Sequence, residues 1–342
     1  MLRLPKFKFL APSSIDEASS LLKDYEENVK LLAGGTDILP LMKDRVRTPE
    51  YVLDLNSVSG LKNIRNGPDG EITIGALSTL TAIVESPLLN KHFSALVEAA
   101  GLVGSPPIRN MGTLGGNIAL ETRCLFFNKS HAWRKSVDRC LKLGGEVCHV
   151  VKGTETCQAC FVADTVPALI ALHAQITIYG PEGKRQCLLK KIYTQNGKSP
   201  NALKSTDIIT EVILPLPEEG SGSSYKKLML REAIDFPLAG VAAHVTMNKK
   251  ICRDVKIVLG GVGSGPIEVT DAEKVLKGKP ISEELIQRIG DMAKAAAHPV
   301  ANMGSTPSYR KKMVGVLTRR ALREAITKAG TNPDKRGKRQ HG

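Results

Sequence analysis

Two short stretches constrain this chain more than any others. One is Ala33-Gly34-Gly35-Thr36-Asp37, at the end of an apolar run, and the other is Thr113-Leu114-Gly115-Gly116-Asn117. A glycine pair has no Cβ to hold a ligand off the main chain, so neighbouring amides can close on a phosphate. Either pair alone is equally well explained by a tight turn. Two of them in one chain fit a diphosphate gripped between two lobes, which requires a two-part fold.

The second turn leads straight into cysteine. Five of the seven cysteines lie at Cys124, Cys140, Cys148, Cys157 and Cys160, spaced C-x15-C-x7-C-x8-C-x2-C. They occupy a segment, residues 118–163, that is long for a loop in a compact domain and poor in apolar residues, so a bound metal would supply its order. Four cysteine thiolates hold a [4Fe–4S] cluster, but the same four suit a structural zinc ion, with Cys157/Cys160 as a close pair and His149 as a further nitrogen ligand. Spacing alone leaves both open. Cys187 and Cys252 stand in strand-like contexts and read as core thiols.

The first residues, Met1-Leu2-Arg3-Leu4-Pro5-Lys6-Phe7-Lys8, alternate charge with apolarity and lack the unbroken apolar core of an export signal. An odd cysteine count then reads as reduced thiols or ligands in the cytoplasm. No apolar run approaches membrane-spanning length. The net charge of +14 invites a nucleic-acid reading, but aromatic content is only 4% and no basic-aromatic stripe appears. The densest basic run, Lys335-Arg336-Gly337-Lys338-Arg339, reads as a solvated tail at residues 331–342 or as a dock for an acidic partner.

Ser14 and Glu17 make a capping box for a helix over 14–28, and Val29 to Ala33 is a short strand. Residues 71–76 alternate as a strand. Ser78 or Thr79 caps a helix that Pro87 stops, and a further helix covers 92–100. Another strand follows at 174–179. A Pro/Glu/Gly/Ser linker at 216–224 marks a domain change. Strands near 225–231, 239–247 and 252–260 precede helices near 271–277, 282–297 and 307–328, the last capped by Thr306 with Pro307 first. Gly260 to Gly265 lacks the G-x-G-x-x-G spacing, and Gly197-Lys198-Ser199 lacks the first P-loop glycine, since Ile192 stands there. No nucleophile–base pair or carboxylate dyad is present, so substrate chemistry belongs to another chain.

Together with Ile74-Gly75-Ala76, Ile108-Arg109-Asn110, Asp164-Thr165-Val166-Pro167-Ala168-Leu169, Asp207 to Val212, Tyr225-Lys226, Gly260-Gly261-Val262 and Ser308-Tyr309-Arg310, the two glycine turns make the chain resemble the flavin subunits of the xanthine oxidase family. The resemblance spans residues 1 to about 328 in the family's order. It implies an α+β fold with a two-lobed, PCMH-type FAD-binding domain at 1–218 (lobes 1–57 and 58–218) and a C-terminal α+β flavoprotein domain at 222–330. FAD would lie along Leu32, Ala33, Gly34, Gly35, Thr36, Asp37 and Ile38 and near Thr113, Gly115, Gly116 and Asn117. Asp164 would stand at the flavin side, with Ile209 and Lys226 lining or hydrogen-bonding the ring; otherwise Asp164 reads as a helix N-cap and Lys226 as a solvated strand lysine.

The insertion at about 119–162 further resembles that of the 4-hydroxybenzoyl-CoA reductase branch, which implies a [4Fe–4S] on Cys124, Cys140, Cys148 and Cys157, with Cys160 spare. The partners implied are a molybdopterin subunit and a [2Fe–2S] subunit in a dimerised heterotrimer, with reduced ferredoxin as electron donor. An NAD-linked flavin subunit of an aldehyde, purine or CO hydroxylase and a zinc-stabilised binding module are the other readings.

Overall fold

The computed structural model describes residues 3–330, and the basic run at 335–339 lies outside the described residues. Three sheets organise the chain. The first is parallel and ordered β1-β3-β2, from β1 (Lys8–Leu10), β2 (Val29–Leu32) and β3 (Tyr51–Asp54). Its covering helix, Ile15–Tyr25, is capped by Ser14, whose hydroxyl accepts from the Glu17 amide. The Glu17 carboxylate accepts from the amide and hydroxyl of Ser13, one residue further back than a capping box would place it. Ala18 and Leu22 of that helix pack on Val29 and Leu53 to form the first lobe's core.

The second sheet is antiparallel, β4 (Ile64–Asn66), β5 (Ile72–Gly75), β6 (Gln175–Gly180), β7 (Gly183–Leu188) and β8 (Ile208–Leu214), in the order β4-β5-β8-β6-β7. Its buried face meets helices Leu80–Glu85, Ser94–Gly101 and Thr165–Ala171, and all seven residues of the last are buried. Pro87 ends one helix and, as expected of proline at a first position, opens the next, Pro87–His92.

The third sheet is antiparallel, β9 (Ser221–Leu228), β10 (Ala239–Asn248), β11 (Ile251–Gly260) and β12 (Ile267–Glu268), in the order β12-β11-β10-β9. Helices Asp271–Leu276, Glu283–Ala296 and Pro307–Ala329 cover one face. The Thr306 hydroxyl accepts from the Tyr309 amide and caps the longest of them. The sequence linker at 216–224 is shorter than its composition suggests. Ser221 to Ser224 already belong to β9, because the backbone at Gly222 runs against the long helix so closely that a Cβ there would lie 2.1 Å from the Ala325 carbonyl oxygen.

The other face of this sheet closes on the second lobe. Phe161 donates its amide to the Gly263 carbonyl (2.9 Å) and accepts from the Gly261 amide (3.0 Å). The fully buried Arg310 donates to the carbonyls of Leu238 (2.9 Å) and Val300 (2.9 Å) and of Gly261. A buried guanidinium is tolerable only when its donors are satisfied, and here carbonyls do that.

Candidate functional site

A cleft of about 830 Å3 opens between the two lobes, with residues 234–236 of the C-terminal domain at its mouth. Ala33, Gly34, Gly35, Thr36, Asp37, Ile38, Thr113, Gly115, Gly116, Asn117, Asp164 and Ile209 all line it. Leu32 and Lys226 do not line it. Leu32 ends β2, and its side chain packs beside Gly35.

The two glycine turns do different jobs. In the first, the amides of Gly34, Gly35, Thr36 and Asp37 donate to no carbonyl among the described residues. Gly35 takes φ +73°, which L side chains rarely adopt. At Gly34 a Cβ would stand 1.8 Å from the Met111 carbonyl oxygen, so glycine lets the lobes meet backbone to backbone. A row of unpaired amides at a concave wall is the chemistry that a diphosphate requires.

In the second turn the amides are already used. Leu114 donates to the Ser78 carbonyl (3.0 Å), Gly115 to that of Ala76 (2.8 Å), Gly116 to the Thr113 hydroxyl (3.2 Å) and Asn117 to the Thr113 carbonyl (2.9 Å). The expectation of two equivalent amide cradles is therefore corrected: Gly115 is glycine because a Cβ would press on Ala76 at 2.8 Å. Asn117 accepts from the amide (3.2 Å) and hydroxyl (2.7 Å) of Thr165, so it ties this turn to helix Thr165–Ala171.

That tie releases Asp164 from capping. Asp164 precedes the helix but makes no side-chain cap bond. Its buried carboxylate instead accepts from the Tyr225 hydroxyl (2.8 Å) and from Lys227 Nζ (2.9 Å). Lys227, with no exposed side-chain surface, also donates to the carbonyls of Leu102 (2.8 Å) and Asp235 (2.9 Å). Burial holds the Asp164 carboxyl above the usual range, with Lys227 and Tyr225 pulling the other way. The Lys226 expectation is corrected by strand alternation. Tyr225 and Lys227 share the inner face of β9, and Lys226 points outward to pair with Glu324 of the long helix. Burial works upward on Glu324, but Lys226 and Lys328 outweigh it and bring its carboxyl down to about 2.

Asp37 links the first turn to the cysteine-bearing insertion by pairing with Arg123, a largely buried guanidinium that burial pushes down to about 10. Arg123 also lies over the Phe236 ring, 5.1 Å from its centroid. Further along, Arg134 donates to the carbonyls of Asp44 (3.0 Å) and Arg45 (2.9 Å), and Phe127 packs with Leu41 and Val46. The insertion thus seats on the helix that follows the first glycine turn, Ile38–Lys43.

Within it, Cys140, Cys148, Cys157 and Cys160 all lie within electrostatic reach of Cys124. Burial pushes the Cys124 and Cys157 thiols up, and neighbouring thiols add to it: Cys140 and Cys148 at Cys124, Cys124 and Cys140 at Cys157. A tetrahedral zinc ion with Zn–S bonds of about 2.3 Å would hold its sulfurs roughly 3.8 Å apart. Among the described residues, no three ligand atoms of the insertion lie within 4.8 Å of one another. His149 turns away to the Asp138 carbonyl (2.7 Å) and stacks on Phe126. Cys160 is a buried thiol that donates to the Phe161 carbonyl (3.7 Å) and accepts from Arg310 (3.8 Å). Beside Cys157, the buried Lys142 donates to the Thr122 hydroxyl (2.6 Å), and burial pushes its ammonium down to about 8. Cys187 is only partly buried, at the edge of the second lobe's core, and Cys252 is buried in that of the C-terminal domain.

Sequence reasoning missed Arg123, Tyr225 as a partner of Asp164, and Lys227. The alternation of β9 would have pointed to Lys227. Nothing local marks Arg123, whose partner is remote in sequence.

A two-lobed α+β body with its cleft between the lobes, backed by an antiparallel sheet under long helices, defines a PCMH-type flavoprotein. Residues 5–217 match the family model described as the FAD binding domain in molybdopterin dehydrogenase, and residues 223–325 match the CO dehydrogenase flavoprotein C-terminal domain. The chain belongs to this family of FAD-binding subunits. It is 30% identical to the carbon monoxide dehydrogenase medium chain of Afipia carboxidovorans, over 94% of this chain and 98% of that one. It is 29% identical to the nicotinate dehydrogenase FAD-subunit of Eubacterium barkeri, over 90% of this chain and 92% of that one. Among solved structures, carbon monoxide dehydrogenase from Hydrogenophaga pseudoflava lacking the Mo-pyranopterin moiety superimposes with TM-score 0.80 at 27% identity, covering 95% of this chain and 99% of that one. Among the described residues no helix is long and apolar enough to cross a membrane.

Proposed function

We propose that this chain is the electron-relaying FAD subunit of a multi-subunit molybdenum hydroxylase-type enzyme. Substrate chemistry would then lie on a molybdopterin partner, reached through a partner carrying [2Fe–2S] clusters. The carbon monoxide and nicotinate dehydrogenase relatives support that class. The observation that carries the reading is the row of unpaired amides from Gly34 to Asp37 on the cleft wall. FAD, when bound, supplies one- and two-electron redox chemistry in a single group. The residues of this chain hold and shield it. The first glycine turn receives the diphosphate, Ile209 gives an apolar wall, and Asp164 offers a carboxylate whose charge Lys227 balances inside the protein.

The insertion favours a narrower reading, a ferredoxin-linked reductase like 4-hydroxybenzoyl-CoA reductase, built as a dimerised heterotrimer. It rests on Cys140, Cys148 and Cys157 lying within electrostatic reach of Cys124 in the insertion, with no three of its ligand atoms among the described residues as close as one tetrahedral ion would hold them. A [4Fe–4S] there would supply one-electron transfer at the surface of the flavin subunit. NAD would not need it, because it exchanges a hydride with flavin directly. Iron, sulfide, zinc and flavin are measured on this chain separated from its partners, and the intact complex is mixed rapidly with reduced ferredoxin or NADH. Iron and sulfide in this chain, with reduction by ferredoxin that slows as salt screens docking, are expected. Flavin without iron in this chain, in a complex reduced by NADH at a salt-independent rate, would leave the general class standing and remove the reductase reading.

A further inference from the structure

A second group of ligand-type side chains lies outside the cleft lining and outside the insertion, where the two domains meet. His173 follows helix Thr165–Ala171 in the flavin-binding domain, and His244 and Asp254 stand on β10 and β11 of the C-terminal domain. One ligand atom from each lies within 4.8 Å of the others, and among the described residues no other set of three or more His, Cys, Asp or Glu does so. His173 Nε2 is 3.7 Å from Asp254 Oδ2, and the two imidazoles meet edge to face with centroids 6.1 Å apart. His244 is 7% exposed, and its Nδ1 is buried with no hydrogen-bond partner. An orphaned imidazole nitrogen in an interior is costly unless something is there to meet it.

Local structure explains how the three converge. Asp254 pairs with Thr246 in the ladder between β10 and β11, two residues along from His244, so both side chains share one face of the sheet. That face packs on helix Thr165–Ala171. His173 ends the helix at φ +59°, a position where glycine is usual, and its amide donates to the Ile170 carbonyl (3.1 Å). The turn brings the imidazole back over the sheet. Lys256, the ladder partner of His244, would oppose a cation, but its ammonium is drawn to Glu268 (3.3 Å).

We propose that His173, His244 and Asp254 form a binding site for a divalent transition metal, zinc foremost, that staples the C-terminal domain to the flavin-binding domain. Two imidazoles and a carboxylate are an ordinary ligand set for such an ion, with water completing a tetrahedron. Bonds of about 2.0–2.2 Å put neighbouring ligand atoms roughly 3.4 Å apart, within side-chain adjustment of the present spacing. His173 is exposed at the surface, which gives the ion a way in.

The full-length, FAD-loaded chain is stripped with a chelator and titrated with Co2+, whose visible bands report the ligands. Wild type is expected to bind one more Co2+ per chain than His173→Ala. Asp254→Asn should bind at that site at least tenfold more weakly. The extra ion should give ligand-field bands without the thiolate-to-cobalt band that the cysteine insertion would produce. Replacing buried His244 risks unfolding, so the two more accessible positions carry the test, with circular dichroism and flavin retention as fold controls. Equal Co2+ stoichiometry and spectra in wild type and both folded variants, or thiolate-type bands alone, would overturn the proposal.

Discussion

Replacing Lys227 by Met tests how the cleft keeps a carboxylate inside the protein. The substitution preserves the length and apolar stem of the side chain and removes one ammonium that holds Asp164 at 2.9 Å and the carbonyls of Leu102 and Asp235 at 2.8 and 2.9 Å. Only the Tyr225 hydroxyl then remains on the carboxylate. Breaking a buried pair from one side costs about 3–5 kcal/mol, because the surviving charge is left buried without its counter-ion. With urea slopes of about 1–3 kcal/mol per molar, a loss of about 4 kcal/mol lowers the unfolding midpoint by at least about 1.3 M. Adding Asp164→Asn removes the stranded charge and should restore more than half of the loss. The pH dependence follows from the sign of the shift. Burial already raises the Asp164 carboxyl, and without Lys227 it rises further. A group whose folded pKa is raised contributes stability at low pH and loses it as pH climbs through that value, so the deficit is small near about pH 4 and grows toward neutrality. Denaturation of wild type, single and double variants at two pH values decides it. A single variant within about 1 kcal/mol of wild type, or no recovery in the double, would refute the reasoning.

Gly34→Ala places a methyl group 1.8 Å from the Met111 carbonyl, so the lobes must separate. A stability loss near the upper end of about 1–3 kcal/mol is expected, together with flavin loss on gel filtration. Serine at Cys124, Cys140, Cys148 or Cys157 should each remove iron and leave FAD bound, whereas serine at Cys160, whose thiol burial pushes up to about 11, should keep it; iron assays on the purified variants distinguish the two. Glu324→Gln should flatten the acid side of the stability profile. The wild-type carboxylate contributes above about 4.5, and that contribution fades as pH falls toward about 2. Its partial exposure limits the effect to about 1 kcal/mol, measurable by urea titration across that range.

What was legible in the sequence was local. Ser14, Thr306 and Pro87 announced helix ends because caps and proline act within one turn, and the apolar runs placed most strands. The glycine pairs marked the cleft, since close backbone approach leaves few alternatives to glycine. Their division of labour was hidden, because whether an amide is free depends on carbonyls such as those of Ser78 and Ala76, which are brought in by tertiary contact. The motif points to Lys226, but Lys227 is the residue that meets Asp164, a difference of one position that strand alternation turns into the opposite face. The start of β9 was obscured because glycine and serines that read as linker are needed against the long helix. His173, His244 and Asp254 come from two domains, and no spacing in the chain connects them.

The base of the insertion is fastened in a way that makes it a module. Arg123 and Cys160 exchange two main-chain hydrogen bonds, Arg123 donating at 2.8 Å and Cys160 at 2.7 Å, so the chain leaves and re-enters the flavin-binding body through one clasp. Relative to a turn of about four residues, residues 124–159 amount to roughly three doublings of loop length, an entropic cost of only about 2 kcal/mol. A loop of this kind can be gained or lost in evolution without disturbing the strands and helices on either side of its base. A chain with a short turn between Arg123 and Cys160 would need no new fold to accommodate the insertion, only an arginine reaching back to Asp37 to seat it.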